Sequence, residues 1–171
     1  VVQGVSVTFV DANHCPGAVL LLFELPCGRK ILHCGDMRYH PRMQTEPSLL
    51  RVKGEVDTVY LDTTYCEEKH TFPPQEDSIA LVVNQVTKQL ALDGGGGGSG
   101  SGGDDGSCLV LLSAYTIGKE KVLLEVSRAT GHQIYVSPEK LKVVQCLDLK
   151  SEELGRFTSD MSSTPIHVTK M

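Results

Sequence analysis

The sequence has no long apolar run, no secretion signal and no excess of positive charge. Its 171 residues contain no stretch approaching the ~18 uninterrupted apolar residues of a transmembrane helix, so we expect no membrane partner. The chain opens on Val1 and a strand-like segment, unlike the charged start and apolar block of a signal peptide. A net charge of −5 argues mildly against a general nucleic-acid-binding surface, although it allows a local anion site.

Compact cysteine motifs are also absent. The six cysteines are scattered and none forms a C-x-x-C pair; they stand at positions 15, 27, 34, 66, 108 and 146. In a chain of this size without a signal, reduced thiols in an intracellular protein are expected. Because the chain also lacks an initial methionine, we expect it to be an interior part of something longer.

The first sixty residues have the pattern of β-strands. VSVTFVDA alternates, with Val5, Val7 and Phe9 on one face, as is typical of a half-buried strand. AVLLLFEL indicates a more buried strand, CGRK a hairpin turn and KILHC the returning strand. VDTVYLDTTY is a further β-rich run that ends in polar residues. The pattern therefore predicts a sheet with functional side chains at its strand ends.

Helices alternate with strands in the second half. A first helix is predicted after FPPQEDS and a second between Gly118 and Gly131, from apolar residues at helical spacing: Ile79, Val82, Val83, Val86 and Leu90, then Val122, Leu123 and Val126. CLVLLS, QIYV and PIHVTK predict strands, and SPEKLKVV a short helix. This alternation predicts an α/β fold with a parallel sheet. The glycine-rich run at 94–106 predicts a flexible insertion.

Three residues at strand ends are candidates for metal chemistry. His14 lies on a bend before Pro16 and Gly17 that could aim an imidazole at a metal, although a lone histidine near a strand end is usually structural. Asp36 follows a strand and Gly35; a carboxylate there could bridge two cations or cap a turn. Asp62 ends an apolar run and could orient a metal ligand or cap a turn.

SAYTIGKEK is a candidate anion site. Thr116, Gly118 and Lys119 follow a strand and lead into a helix, where free backbone N–H groups and the helix dipole favour anions. The segment is not a P-loop, because Ser113 replaces the first glycine and Glu120 follows the lysine. A helix cap with a solvated lysine is the alternative.

Four segments in this order and spacing resemble the DNA cross-link repair nucleases of the metallo-β-lactamase/β-CASP group, which include Artemis: DANHCPGA, ILHCGDMR, YLDTTYC and SAYTIGKEKV. The resemblance spans nearly the whole chain except the glycine run. It implies the C-terminal half of a metallo-β-lactamase ββ sandwich over residues 1–60. The start of a parallel-sheet β-CASP domain would then occupy residues 61–171.

The resemblance also implies roles for the candidate residues. His14 would be a metal ligand, Asp36 a ligand bridging two metals, and Asp62 an acidic catalytic residue beside them. Thr116, Gly118 and Lys119 would hold a terminal phosphate of the substrate. The implied activity is 5′ exonuclease hydrolysis of DNA with Zn²⁺, and with Mg²⁺ as a possible addition. The implied setting is cross-link and double-strand break repair in the nucleus, on DNA with 5′-phosphate ends and alongside other repair proteins.

The sequence departs from this family in one major respect. The family's main metal-binding motif, His-x-His-x-Asp-His, is absent and would be expected upstream of Val1. Cys34 stands where a small hydroxyl residue is expected before Gly-Asp. We therefore expect the 171 residues alone to be inactive. An RNA-processing nuclease of the same superfamily and a catalytically inactive repair scaffold are the alternatives.

Overall fold

The computed structural model describes residues 3–94 and 108–170. The chain divides into two compact units, Val1–Thr71 and Phe72–Met171, here called the first and second unit. In chain order the elements are β1 Ser6–Asp11, β2 Val19–Glu24, β3 Lys30–His33, α1 Pro47–Leu50, β4 Thr58–Tyr60, α2 Gln75–Gly94, β5 Val110–Ala114, α3 Glu120–Thr130, β6 Ile134–Tyr135, α4 Pro138–Gln145, α5 Ser151–Leu154, β7 Phe157–Thr158 and β8 Ile166–Lys170. Short 3₁₀ helices cover Pro41–Thr45 and Met161–Ser163.

The first unit is built on a sheet of order β1-β2-β3-β4. β1–β2 and β2–β3 are antiparallel and β3–β4 is parallel, with the register Phe9↔Leu21, Leu21↔His33 and His33↔Tyr60. The predicted hairpin turn is closed by a hydrogen bond from the Leu25 N–H to the Arg29 carbonyl, 2.9 Å long. β1, β3 and β4 consequently run in the same direction, and their carboxyl ends share one edge of the sheet.

Burial in β1 departs from the alternation at one end of the strand, since Val5 and Val7 are half-buried as are Ser6 and Thr8. At that end Phe9 is 68% exposed, whereas Val10, on the opposite face, is 6% exposed. Val10 packs in a cluster with Leu20 and Cys34, against which Leu49 of α1 also lies. The predicted strand is confirmed, and its fully buried residue is Val10, on the side that contacts the short helix.

The second unit contains a parallel sheet of order β5-β8-β6-β7. Its core joins the helices to the sheet and includes Leu123, Val126, Ile134, Val144 and Ile166. The apolar faces predicted for the two longer helices contribute to it, with Val86 from α2 and Leu123 and Val126 from α3 buried. The predicted α/β class is thus confirmed as one mixed sheet and one parallel sheet with helices. The assignment of residues 1–60 and 61–171 to two domain families stays a prediction.

Short elements were not predicted from the sequence. α1 and α5 have four residues each and β7 has two, too few for a periodic pattern to emerge. None of the helices among the described residues combines the length and apolarity required to cross a membrane.

Candidate functional site

The three metal candidates of the first unit lie in three loops at one edge of its sheet. His14 is between β1 and β2, Asp36 follows β3, and Asp62 follows β4. Because β1, β3 and β4 run in the same direction, these loops emerge side by side. His14 and Asp36 are exposed and Asp62 is half-buried.

The bend around His14 is closed by its own backbone. The Ala12 N–H donates to the Ala18 carbonyl and the Ala18 N–H to the Cys15 carbonyl, both at 3.0 Å. Asn13 takes a left-handed conformation with φ +54°, and its N–H donates to Asp11 Oδ1 at 3.0 Å. Asparagine tolerates this conformation better than most residues. The imidazole therefore sits on a short, tightly hydrogen-bonded loop.

Asn13 joins this bend to the loop that carries Asp36. Its Nδ2 donates to the Arg38 carbonyl at 3.1 Å, and the Arg38 N–H donates to the Ala12 carbonyl at 3.0 Å. Arg42 then donates to Asn13 Oδ1 at 2.9 Å and to Asp11 Oδ2 at 2.8 Å. These bonds fix the two loops to each other.

The Asp36 loop is joined in turn to β4. The Cys34 N–H donates to the Tyr60 carbonyl at 2.9 Å, and the Gly35 N–H donates to His33 Nδ1 at 3.1 Å. Gly35 has φ +55°, and a Cβ there would lie 3.8 Å from the nearest neighbouring atom, the Val19 carbonyl oxygen. Glycine is therefore required at position 35 for its left-handed backbone conformation, and not because a Cβ would clash with a neighbouring atom.

Asp62 is held as an ionised carboxylate. Its pKa lies below the ordinary value because the Thr64 hydroxyl and backbone N–H donate to it, with further help from the Met37 N–H and the charge of His14. The two Thr64 bonds to Asp62 Oδ1 are 2.7 and 2.9 Å long. Burial raises the pKa of the nearby Cys34 thiol, and the charge of Asp62 adds to that effect.

The described part of the chain does not form a metal site by itself. Across residues 3–94 and 108–170, no group of three or more His, Cys, Asp or Glu side chains is placed to hold a metal ion. An imidazole and two carboxylates at one sheet edge are ligand types that zinc accepts, but a zinc site ordinarily needs three or four protein ligands together. His14, Asp36 and Asp62 therefore do not fit a complete metal site.

The candidate anion site lies in the loop 115–119, between β5 and α3 of the second unit. Thr116 and Lys119 are exposed and Gly118 is buried. Gly118 and Lys119 both have left-handed backbones, with φ +101° and +70°. The Gly118 N–H donates to Glu120 Oε1 at 3.0 Å, so the helix's own carboxylate already uses this donor.

Two residues of this region were missed from the sequence. Glu120 and Lys140 are both buried and form an ion pair of 3.2 Å. Lys140 stands four residues before the buried Val144 in α4, so the two share one helix face. A lysine on an apolar helix face was the available signal, since a buried ammonium needs an anionic partner.

Comparison with known proteins shows similarity along the whole chain. The DNA cross-link repair 1A protein of Homo sapiens is 41% identical over 171 residues, which is 100% of this chain and 15% of the human protein. The 5′ exonuclease Apollo of Gallus gallus is 34% identical over 165 residues, covering 96% of this chain and 31% of Apollo. The chain thus spans less than a third of the length of either relative. The resemblance to DNA cross-link repair nucleases indicated by the four motifs is confirmed.

A structural comparison supports the fold alone. A protein of unknown function from Enterococcus faecalis V583 superposes on 100% of this chain with a TM-score of 0.59 and 12% identity, over 42% of its own length. No family model matches the sequence.

Proposed function

We propose that this chain, which is similar over its whole length to a segment of DNA cross-link repair proteins, is part of a metal-dependent DNA repair nuclease. The observation that carries the proposal is the meeting of the His14, Asp36 and Asp62 loops at one sheet edge, tied together through Asn13 and Cys34. We propose that the enzyme acts in the nucleus and hydrolyses DNA phosphodiesters from 5′ ends. The first unit would be half of a metallo-β-lactamase sandwich and the second the start of a β-CASP domain.

The proposed metal is Zn²⁺, with Mg²⁺ as a second candidate. His14 and Asp36 would each be a ligand, and Asp62 would lie beside them as a charged group. Because one imidazole and one carboxylate are too few ligands for two cations, the remaining ligands would have to come from residues outside this chain. The hydrogen bonds of Asn13 and Cys34 support this proposal, because they would keep the loops that carry His14 and Asp36 in place.

The loop 115–119 would bind the 5′ phosphate of the substrate. Lys119 is exposed and positively charged, and Thr116 is exposed with a hydroxyl donor. A charge-assisted contact of this kind contributes roughly 1.5–3 kcal/mol, or about ten- to a hundredfold in kcat/KM. The exposed side chains are the available donors, because the Gly118 N–H already donates to Glu120.

The test of the activity compares matched DNA and RNA strands, with 5′-phosphate ends, as substrates of the full-length protein. Metal-dependent shortening of DNA from the 5′ end is expected, with RNA cleaved more slowly. Preferential cleavage of RNA would indicate an RNA-processing nuclease. Absence of any cleavage in metal-loaded protein would indicate a repair scaffold.

The test of the phosphate contact is Lys119→Ala in the full-length protein. Use of 5′-phosphorylated DNA should fall by about ten- to a hundredfold, while use of 5′-hydroxyl DNA should hardly change. Lys121→Ala is the matched control, because Lys121 is exposed two residues later in α3. An unchanged ratio of kcat/KM for the two ends would contradict the phosphate contact without affecting the assignments of His14 and Asp36.

A further inference from the structure

A buried ion pair connects α3 to α4, and both of its partners are hydrogen-bonded to the loop 115–119. Glu120 is 4% exposed and Lys140 is 7% exposed, and Lys140 Nζ lies 3.2 Å from Glu120 Oε1. The Lys140 backbone N–H also donates to Ser137 Oγ, which caps the start of α4. Both partners are therefore held by the helices that carry them.

The Lys140 ammonium has no donor left for a ligand. Its three N–H groups are matched by three acceptors: the Tyr115 carbonyl at 2.9 Å, the Thr116 carbonyl at 3.2 Å and Glu120 Oε1 at 3.2 Å. Two of these acceptors are main-chain carbonyls at the start of the loop. Lys140 thus shapes the loop and does not itself contact substrate.

Glu120 holds the other end of the same loop. Its Oε1 accepts the Gly118 N–H at 3.0 Å, next to the two left-handed residues Gly118 and Lys119. A left-handed lysine backbone persists only where surrounding bonds hold it. Glu120 Oε2 is buried and has no hydrogen-bond partner. A buried ion pair with an unsatisfied oxygen adds little to the free energy of unfolding, so its role here is to fix the conformation of the loop.

We propose that Glu120 and Lys140 are positioning residues that hold the loop 115–119 in the conformation that directs Thr116 and Lys119 toward a 5′ phosphate. The inference rests on the proposed function of that loop. Loss of the pair releases the Tyr115 and Thr116 carbonyls and the Gly118 N–H together, so both exposed donors lose their fixed positions. Discrimination between 5′-phosphate and 5′-hydroxyl ends depends on this geometry.

The experiment measures kcat/KM for 5′-phosphorylated and 5′-hydroxyl DNA in the full-length protein. The main variant is Glu120→Leu with Lys140→Met, which removes both charges and the acceptor for the Gly118 N–H and leaves no unpaired buried ion. The ratio of the two kcat/KM values should fall by about tenfold or more, as for loss of the charge-assisted contact itself, with 5′-hydroxyl DNA used at its normal rate. Lys142→Met is the control, since Lys142 is exposed in the same helix, and its ratio should stay unchanged.

Thermal unfolding of each variant, and of Lys140→Met alone, shows which of these proteins remain folded. An unchanged ratio in a folded double variant, with Lys119→Ala lowering it, overturns this inference and keeps the phosphate-binding loop. Equal loss on both DNA ends also overturns it, because the pair would then be only structural. If Lys119→Ala leaves the ratio unchanged, the phosphate-binding loop is wrong and the inference fails with it.

Discussion

At the scale of single residues, Asn13 connects the two loops that carry His14 and Asp36. Its left-handed backbone turns the chain, its amide reaches the Arg38 carbonyl, and its side-chain oxygen accepts from Arg42. A side chain that donates on one side and accepts on the other can hold two loops at a fixed separation. The placement of the loop that carries His14 therefore depends on Asn13, the residue before it.

His14→Ala and Asp36→Asn should each abolish DNA cleavage by the full-length protein. Asparagine keeps the shape of Asp36 but lacks the charge that lets one side chain bridge two cations. The cleavage rate should fall by more than about a hundredfold, because loss of a residue that only orients a metal ligand already lowers activity by up to about a hundredfold. The measurement is single-turnover cleavage together with bound metal content.

The controls for these variants are His132→Ala and Asp148→Asn, which make the same changes at exposed positions of the second unit. Circular dichroism verifies the fold of all four proteins. Near-normal cleavage with unchanged metal content in the His14 and Asp36 variants would show that neither residue is a ligand.

Thr64→Val should raise the pKa of Asp62 toward its ordinary value, because the hydroxyl that donates to the carboxylate is lost. A lowered folded-state pKa stabilises the fold above the unfolded pKa, and this contribution disappears as pH falls through the folded value. The variant should therefore be less stable than the wild type near neutral pH, and the difference should shrink in acid. Carboxyl NMR titration tests the pKa, and Thr63→Val is the control at the adjacent exposed position.

At the scale of elements, α3 ends at a glycine whose backbone conformation matters more than its size. Gly131 has φ +75°, donates its N–H to the Ser127 carbonyl, and would place a Cβ in open space. A left-handed residue at this position is a common end of a helix. The end of α3 therefore requires glycine for its backbone alone.

Gly131→Ala should lower the free energy of unfolding by about 1–2 kcal/mol, the cost of a left-handed alanine. Gly155→Ala is the matched control, because Gly155 follows α5 with φ −63° and a Cβ there makes ordinary contacts. It should cost little or nothing. Urea unfolding followed by circular dichroism provides both values, and equal losses in the two variants would contradict the conformational explanation.

At the scale of the whole molecule, the chain holds only part of the proposed active site. The described residues include no group of three or more metal-ligating side chains, and the chain spans 15% of its human relative. Similarity is nevertheless continuous from end to end. The chemistry proposed here therefore belongs to a larger assembly of residues than these 171.

The isolated 171-residue chain should not cleave DNA. One imidazole and one carboxylate cannot hold two catalytic cations tightly enough. The measurement incubates the purified chain with labelled single-stranded DNA and either Zn²⁺ or Mg²⁺, with an Asp36→Asn sample to reveal contaminating nuclease. Cleavage that disappears in the Asp36→Asn sample would mean that the chain carries a complete active site.

The sequence by itself determined the order of the main strands and helices and the positions of the candidate residues in the loops that follow the strands. The alternation of β1, the apolar run of β2 and the helical spacing in α2 and α3 depend on residues a few positions apart. The placement of His14, Asp36 and Asp62 at strand ends also followed from local pattern. Four motifs in register then pointed to DNA cross-link repair proteins, and the chain is 41% identical over its whole length to a segment of the human DNA cross-link repair 1A protein.

Only the tertiary structure decided which faces are buried and which distant groups meet. Phe9 and Val10 are equally apolar, yet Val10 is buried because the sheet packs its face against α1 and the Asp36 loop. The pairing of Glu120 with Lys140 crosses twenty residues of sequence, and that of Asn13 with the Arg38 carbonyl crosses twenty-five. Hydrogen bonds and ion pairs of this kind depend on separations of a few ångströms in space, which spacing along the chain does not determine.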